Sequence, residues 1–173
     1  MSPRRTLVDP ARGVFDVDWA LFGEFSRALA LKVARDYEPE VVLGIVHAGV
    51  VPGAVVAAIL GAEFHSLHIS RKDASGIRET PSVFGQVPAE VRGRRVLVVD
   101  ETCDTGDTLR LALNAVRNAG AADVRTAVGF KTGPYEPHYH ALFTESTIVL
   151  PWDKEILEGG MLVPNPKYES PYR

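Results

Sequence analysis

From Val41 to Ala62 the chain carries no Asp, Glu, Lys or Arg, an uncharged run long enough to cross a bilayer as a helix. Its interior argues against that. Gly44, His47, Gly49, Pro52 and Gly53 interrupt it, and its flanks are Glu40 and Glu63 rather than the basic residues that orient a span. A run of this kind has to bury itself in protein, and its parts separate by residue type. Val41–Val46 reads as a strand buried on both faces, His47–Gly53 as a glycine-rich turn and Ala54–Leu60 as a helix, one βα unit of a parallel sheet.

The same grammar recurs. Val96–Val99 is wholly apolar and runs into Asp100 and Glu101; polar residues Thr102–Thr108 follow, then Leu109, Leu113 and Val116 at helical spacing, with Gly120 placed to end the helix. Glu63–Ser70, Val124–Phe130 and Thr147–Leu150 read as further strands. Upstream, Leu21, Phe22, Phe25, Leu29 and Val33 recur every three to four positions between about Asp18 and Tyr37, an amphipathic helix that Asp18 can cap. Strands alternating with helices imply an α/β fold, a doubly wound and mostly parallel sheet flanked by helices. Ligands of such sheets bind beyond the carboxyl ends of the strands, so the loops at His47–Gly53, Asp100–Thr108 and Lys131 are expected to share one mouth. Arg71–Gly93, with Gly76, Pro81, Gly85 and Pro88, shows no periodic pattern and reads as a mobile loop, with room for a short hairpin. The tail from Gly159 onward holds Pro164, Pro166 and Pro171 and is expected to be extended.

Length and charge narrow the class. A chain of 173 residues is expected to be a single domain, with a core over about 18–150, the mobile loop at 71–93 and a small hood or tail over 131–173. Its net charge of −3 lacks the basic excess of a sequence-blind nucleic-acid binder. The lone cysteine, Cys103, cannot form an intramolecular disulfide, and Arg4 and Arg5 precede no apolar stretch of a secretory signal. A reducing, cytoplasmic setting without membrane or nucleic-acid partners is therefore expected.

The chemistry concentrates in Val98–Leu109, VVDETCDTGDTL, where acidic residues precede a Thr-Gly-x-Thr turn at a helix start. Free N–H groups at a helix N-terminus attract a phosphate; Gly106 lets the backbone approach it, and Thr105 and Thr108 add hydroxyls. Asp100 and Glu101 are acceptors suited to two neighbouring ribose hydroxyls, directly or through hydrated magnesium. Asp107 complicates the picture, because a carboxylate in the first helical turn repels a bound phosphate unless its side chain points away. Neither a Walker sequence nor a G-x-G-x-x-G fingerprint after a strand occurs, so ordinary NTPase and NAD readings lose support.

Val96–Leu109 resembles the phosphoribosyl pyrophosphate (PRPP) binding motif of type I phosphoribosyltransferases: an apolar strand, two acidic residues, then D-T-G-x-T. Gly44–Glu63 is similar to the pyrophosphate loop and following helix of the xanthine-guanine and hypoxanthine-guanine branch, and the resemblance continues through Phe130-Lys131 to Leu150-Pro151-Trp152-Asp153. It implies transfer of a 5-phosphoribosyl group from PRPP to a 6-oxopurine, with Mg²⁺ and release of pyrophosphate, by a homodimer or homotetramer. By resemblance Asp100 and Glu101 bind the ribose, Asp104 is the general base near the purine imidazole, and Thr105, Gly106, Asp107 and Thr108 form the 5′-phosphate cradle. His47, Ala48 and Gly49 fall in the pyrophosphate loop, Lys131 meets the exocyclic oxygen of the base, and Ile148, Trp152 and Asp153 lie in the hood. Magnesium arrives with PRPP, with Asp100, Glu101 and Asp153 as its candidate protein ligands.

Two positions depart from the branch. His47 stands where an arginine or lysine is common, and Thr147 where an aromatic ring usually stacks on the purine, leaving Trp152 to supply that surface or to pack internally. A binding protein for PRPP or nucleotides without turnover, or a phosphoribosyltransferase for another base, are the competing readings. Lys131 could equally be a solvated lysine at a strand end. Cys103 has no neighbouring His or second Cys to mark a nucleophile, and His138-x-His140 lacks a third metal ligand at a recognisable spacing.

Overall fold

The computed structural model describes residues 11–73 and 76–168. They form two compact units, one from Phe25 to Phe143 and one combining the residues up to Glu24 with those from Thr144 onward.

The larger unit is built on six strands, Val41–Val46 (β2), Glu63–Asp73 (β3), Gly76–Phe84 (β4), Arg95–Cys103 (β5), Asp123–Lys131 (β6) and Tyr139–Phe143 (β7), numbered after the short strand Val14–Asp16 (β1) of the other unit. Their order is β4-β3-β2-β5-β6-β7, parallel except for the antiparallel edge strand β4. Successive residues of β2 face opposite layers, which is why its sequence is apolar throughout. Val41, Leu43 and Ile45 pack with Leu109, Ala112, Leu113 and Val116 of helix Asp107–Asn118. Val42 joins Leu29 and Val33 of the first helix (α1, Trp19–Ala34) and Val56 and Ala57 of the second (α2, Val50–Leu60) on the other face. The helix at Asp107–Asn118 is α3. The sheet is thus covered on both sides, the doubly wound α/β architecture expected. No helix among the described residues is long and apolar enough to cross a membrane.

Helix α2 begins at Val50, not at Ala54. Pro52 is tolerated in a first turn, where its missing N–H leaves no bond unmade. Gly53 lies flat on the strand: a Cβ there would come within 2.9 Å of Gly44 Cα. These residues, read as turn formers, are what lets α2 settle on β2. Strand β5 likewise runs on to Cys103, because pairing with β6 continues to Cys103 opposite Lys131.

The stretch expected as a loop over 71–93 is largely sheet. β3 and β4 form an antiparallel hairpin whose register shifts between Ser70 and Lys72, and a short 3-10 turn follows at Ala89–Val91. Pro81 fits because an edge strand tolerates a residue that donates nothing to the ladder.

In the smaller unit, Thr147–Val149 (β8) does not extend the main sheet but pairs in parallel with β1. The tail is not simply extended either: Glu155–Glu158 (β9) and Met161–Pro164 (β10) pair as a hairpin closed by Gly159 and Gly160, with φ of +58° and +81°. Two consecutive positive φ values are what a tight two-residue hairpin turn demands.

Candidate functional site

Three loops meet at the carboxyl ends of β2, β5 and β6. The centre is the end of β5, where Asp100 is only 8% exposed. Its Oδ1 accepts the Glu101 N–H at 3.0 Å. Burial, and next the charge of Glu101, raise its carboxyl well above the usual carboxylate range. Among the described residues no Lys, Arg or His lies within ion-pair distance of Asp100, Glu101 or Asp104. Acidic groups left without a counter-charge suit a ligand that brings hydroxyls or a cation.

Beyond Cys103 the chain turns through Asp104, Thr105 and Gly106, the last at φ +79°, and enters α3. A cavity of about 250 Å³ is lined by Asp100 and by every residue from Thr102 to Leu109, so Asp100 and the residues expected as a phosphate cradle surround one space, while Glu101, the other expected ribose acceptor, is not among its lining residues. Cys103 is buried beneath it. Burial first, then the charges of Asp100 and Asp104, push its thiol up to about 11, so it is protonated at neutral pH and is no nucleophile.

Gly49 joins the β2–α2 turn to this centre. A Cβ at Gly49 would fall 2.8 Å from Asp100 Oδ1 and from the carbonyl oxygens of Ile45 and Val99, so only glycine permits the approach. The preceding His47 is exposed, follows a cis Val46–His47 peptide, and has its ring 5.8 Å from that of His68, which in turn rests on Phe84 at 5.2 Å.

Lys131 reaches the same end of the sheet opposite Cys103. Its ammonium is paired with Glu136 and lies 5.4 Å from the centroid of the Phe143 ring; the lysine in turn holds the Glu136 carboxyl below its ordinary range. The segment after Lys131 returns along the β5–α3 turn. Thr132 N–H donates to the Cys103 carbonyl at 2.8 Å and Tyr135 N–H to that of Asp104 at 3.2 Å. Gly133 lies so close to Asp104 that a Cβ there would come within 1.8 Å of the carboxylate.

The hood residues belong to the smaller unit. Ile148 is buried and pairs with Phe15. Trp152 packs edge-on against Phe22 at 5.0 Å and is tilted against Trp19 at 6.0 Å. Asp153 accepts from Lys167, from Tyr168 OH at 2.9 Å and from Asn165 Nδ2 at 3.0 Å. His138 is likewise committed, with its Nδ1 accepting the Thr126 N–H at 3.1 Å.

Sequence reasoning missed Arg110, Gly133, Tyr135 and Glu136. Arg110 was visible three residues after Asp107 on one helix face. The other three reach the site only because β6 lies beside β5.

No group of three or more His, Cys, Asp or Glu side chains among the described residues is placed to hold a metal by itself. The adjacent carboxylates Asp100 and Glu101 fit a magnesium ion that arrives with phosphate ligands, since Mg²⁺ commonly takes only one or two carboxylates from protein.

A family model described as phosphoribosyl transferase domain matches residues 18–159. The xanthine-guanine phosphoribosyltransferase of Nitratidesulfovibrio vulgaris is 27% identical over 164 residues, 92% of this chain and 96% of that protein. A ribose-phosphate pyrophosphokinase of Maricaulis maris is 31% identical over 68% of this chain, which spans only 36% of the kinase. The transcriptional regulator GfcR of Halobacterium salinarum is 32% identical over 65% of this chain and 58% of its own length. Among solved structures, the purine phosphoribosyltransferase of Pyrococcus horikoshii superposes with a TM-score of 0.72 at 26% identity, covering 84% of this chain and 97% of that one.

Proposed function

The chain belongs to the phosphoribosyltransferase family, and from that premise we propose that it transfers the 5-phosphoribosyl group of PRPP to a 6-oxopurine, hypoxanthine, guanine or xanthine, with release of pyrophosphate. The observation that carries this reading is the β5–α3 cavity, with the buried Asp100 carboxyl at one end and a threonine-lined helix entrance at the other. Asp100 and Glu101 bind the ribose hydroxyls, and the amides and hydroxyls of Thr105–Thr108 hold the 5′-phosphate. His47, Ala48 and Gly49 receive the pyrophosphate. Asp100 and Glu101 would hold Mg²⁺, which would supply charge neutralisation to the departing pyrophosphate. As that group leaves, the ribose gains cationic character, which the carboxylates of this mouth stabilise. Asp104 takes the proton of the incoming base, and Lys131 exchanges its bond to Glu136 for one to the exocyclic oxygen of the purine. The metal is assigned to Asp100 and Glu101, because the oxygens of Asp153 are engaged by Lys167, Tyr168 and Asn165. The active form is a homodimer or homotetramer in the cytoplasm.

A second reading, a PRPP-binding or nucleotide-binding regulator without turnover, draws on the likeness to the transcriptional regulator GfcR and on His47 standing at the pyrophosphate loop. One assay separates the two: incubation with PRPP, Mg²⁺ and each of hypoxanthine, guanine, xanthine and adenine. A nucleotide product from a 6-oxopurine is expected, with Asp104→Asn lowering turnover about 10²–10⁴-fold at little cost in PRPP affinity. PRPP binding without product from any base contradicts the enzyme.

A further inference from the structure

We propose that Arg110 is a positioning residue that, clasped with Tyr135, makes an acidic turn able to hold a phosphate; this deepens, and rests on, the phosphoribosyl-binding reading above. The turn contains a conflict. Its amides and hydroxyls suit a phosphate, yet Asp104 and Asp107 put two carboxylates into the same few residues, and an acid in the first turn of α3 opposes an anion bound at that helix end.

Arg110 resolves it. Its Nη1 donates to Asp107 Oδ1 at 3.3 Å and to the Thr105 carbonyl at 2.9 Å, and its guanidinium carbon lies 4.6 Å from the centroid of the Tyr135 ring. One side chain thus offsets the charge of Asp107, draws that carboxylate along the helix surface and fixes a carbonyl of the turn. Tyr135 closes from the other side. Its ring sits on Gly106 so tightly that a Cβ there would come within 2.1 Å of it.

Together the two residues occupy three successive carbonyls: Asp104 O accepts Tyr135 N–H at 3.2 Å, Thr105 O accepts the guanidinium, and Gly106 O accepts the Arg110 N–H at 2.9 Å. In a planar trans peptide the carbonyl and the following N–H point in opposite directions. The N–H groups of Thr105, Gly106 and Asp107 are therefore turned away from the clasp. The side-chain acceptor seen for the Asp107 N–H, Thr105 Oγ1 at 3.5 Å, is a weaker partner than a phosphate oxygen. The clasp sets the amides of the cradle while removing the charge that would repel its ligand.

The test is a double-substitution cycle read by calorimetric titration of the full-length protein with PRPP and Mg²⁺, with melting temperatures recorded for each variant. Arg110 is more than half exposed, so Arg110→Ala is expected to fold and to weaken PRPP about 10-fold, with the loss shrinking to about 2-fold in an Asp107→Asn background. Tyr135→Phe, which keeps the ring, is expected to bind as wild type, and Tyr135→Ala to weaken. Arg110→Gln, which keeps a donor for the Thr105 carbonyl, replaces Arg110→Ala if that variant does not fold, and the same outcomes apply. Unchanged affinity on losing Arg110 overturns the clasp, and so does an equal loss in both Asp107 backgrounds, which marks a brace indifferent to charge. A wild-type protein that does not bind PRPP at all overturns the functional reading and the clasp with it, whereas wild-type binding untouched by the Arg110 variants overturns the clasp alone.

Discussion

Asp100 shows how one side chain can oppose stability and serve a site. Its raised pKa means that the fold binds the proton more tightly than the unfolded chain does. Its contribution to stability is therefore fullest in acid and is lost as pH rises from the ordinary carboxylate range through the raised value. Asp100→Asn keeps an acceptor for the Glu101 N–H and removes the charge. This variant is expected to melt about 2–4 °C above wild type at neutral pH, the shift that about 1 kcal/mol gives in a chain of this size. The gap should close in acid, and PRPP binding should be lost. Thermal melts across a pH series check this, and a variant that melts below wild type at neutral pH contradicts it. The acidic pair and the Thr-Gly-x-Thr turn were legible at this scale because strand, acid and turn are contiguous in the chain. The Lys131–Glu136 pair was not, because nothing in a run of Thr, Gly and Pro says that the chain doubles back.

Among the elements, α1 was the most readable: its apolar period sets the buried face, and Leu21 N–H donates to Asp18 Oδ1 at 2.7 Å, the cap that the sequence suggested. Asp18→Ala is expected to cost about 1 kcal/mol, measured as a lower urea midpoint with an unchanged slope; an unchanged midpoint would show that the cap is replaced by water. Element boundaries were harder to read, for a common reason. Pro52 and Gly53 carry turn propensity, but contact with Gly44 outweighs it and draws them into α2. Gly159-Gly160 between Ile156-Leu157-Glu158 and Met161-Leu162-Val163 is a hairpin signal that reading the tail as extended passed over. The polar 71–93 stretch hides β4 because an edge strand needs only one partner and one covered face, so its alternation is weak.

For the whole molecule, the absence of a three-ligand cluster among the described residues sets an expectation for metal removal. Chelation by EDTA should abolish turnover and weaken PRPP binding while leaving the melting temperature of the ligand-free protein unchanged; a fall in that temperature would reveal a resident metal. The amino-acid order alone determined the α/β class, the parallel strands and the residues of the β5–α3 turn, since each depends on periodicity or on neighbours within a few positions. Only the tertiary structure decided that Gly49 abuts Asp100, that Tyr135 covers Gly106 and that the Arg110 guanidinium lies over the Tyr135 ring. Those contacts depend on which strands lie side by side, and adjacency in a sheet is set by the packing of its two covered faces rather than by any local run of residues.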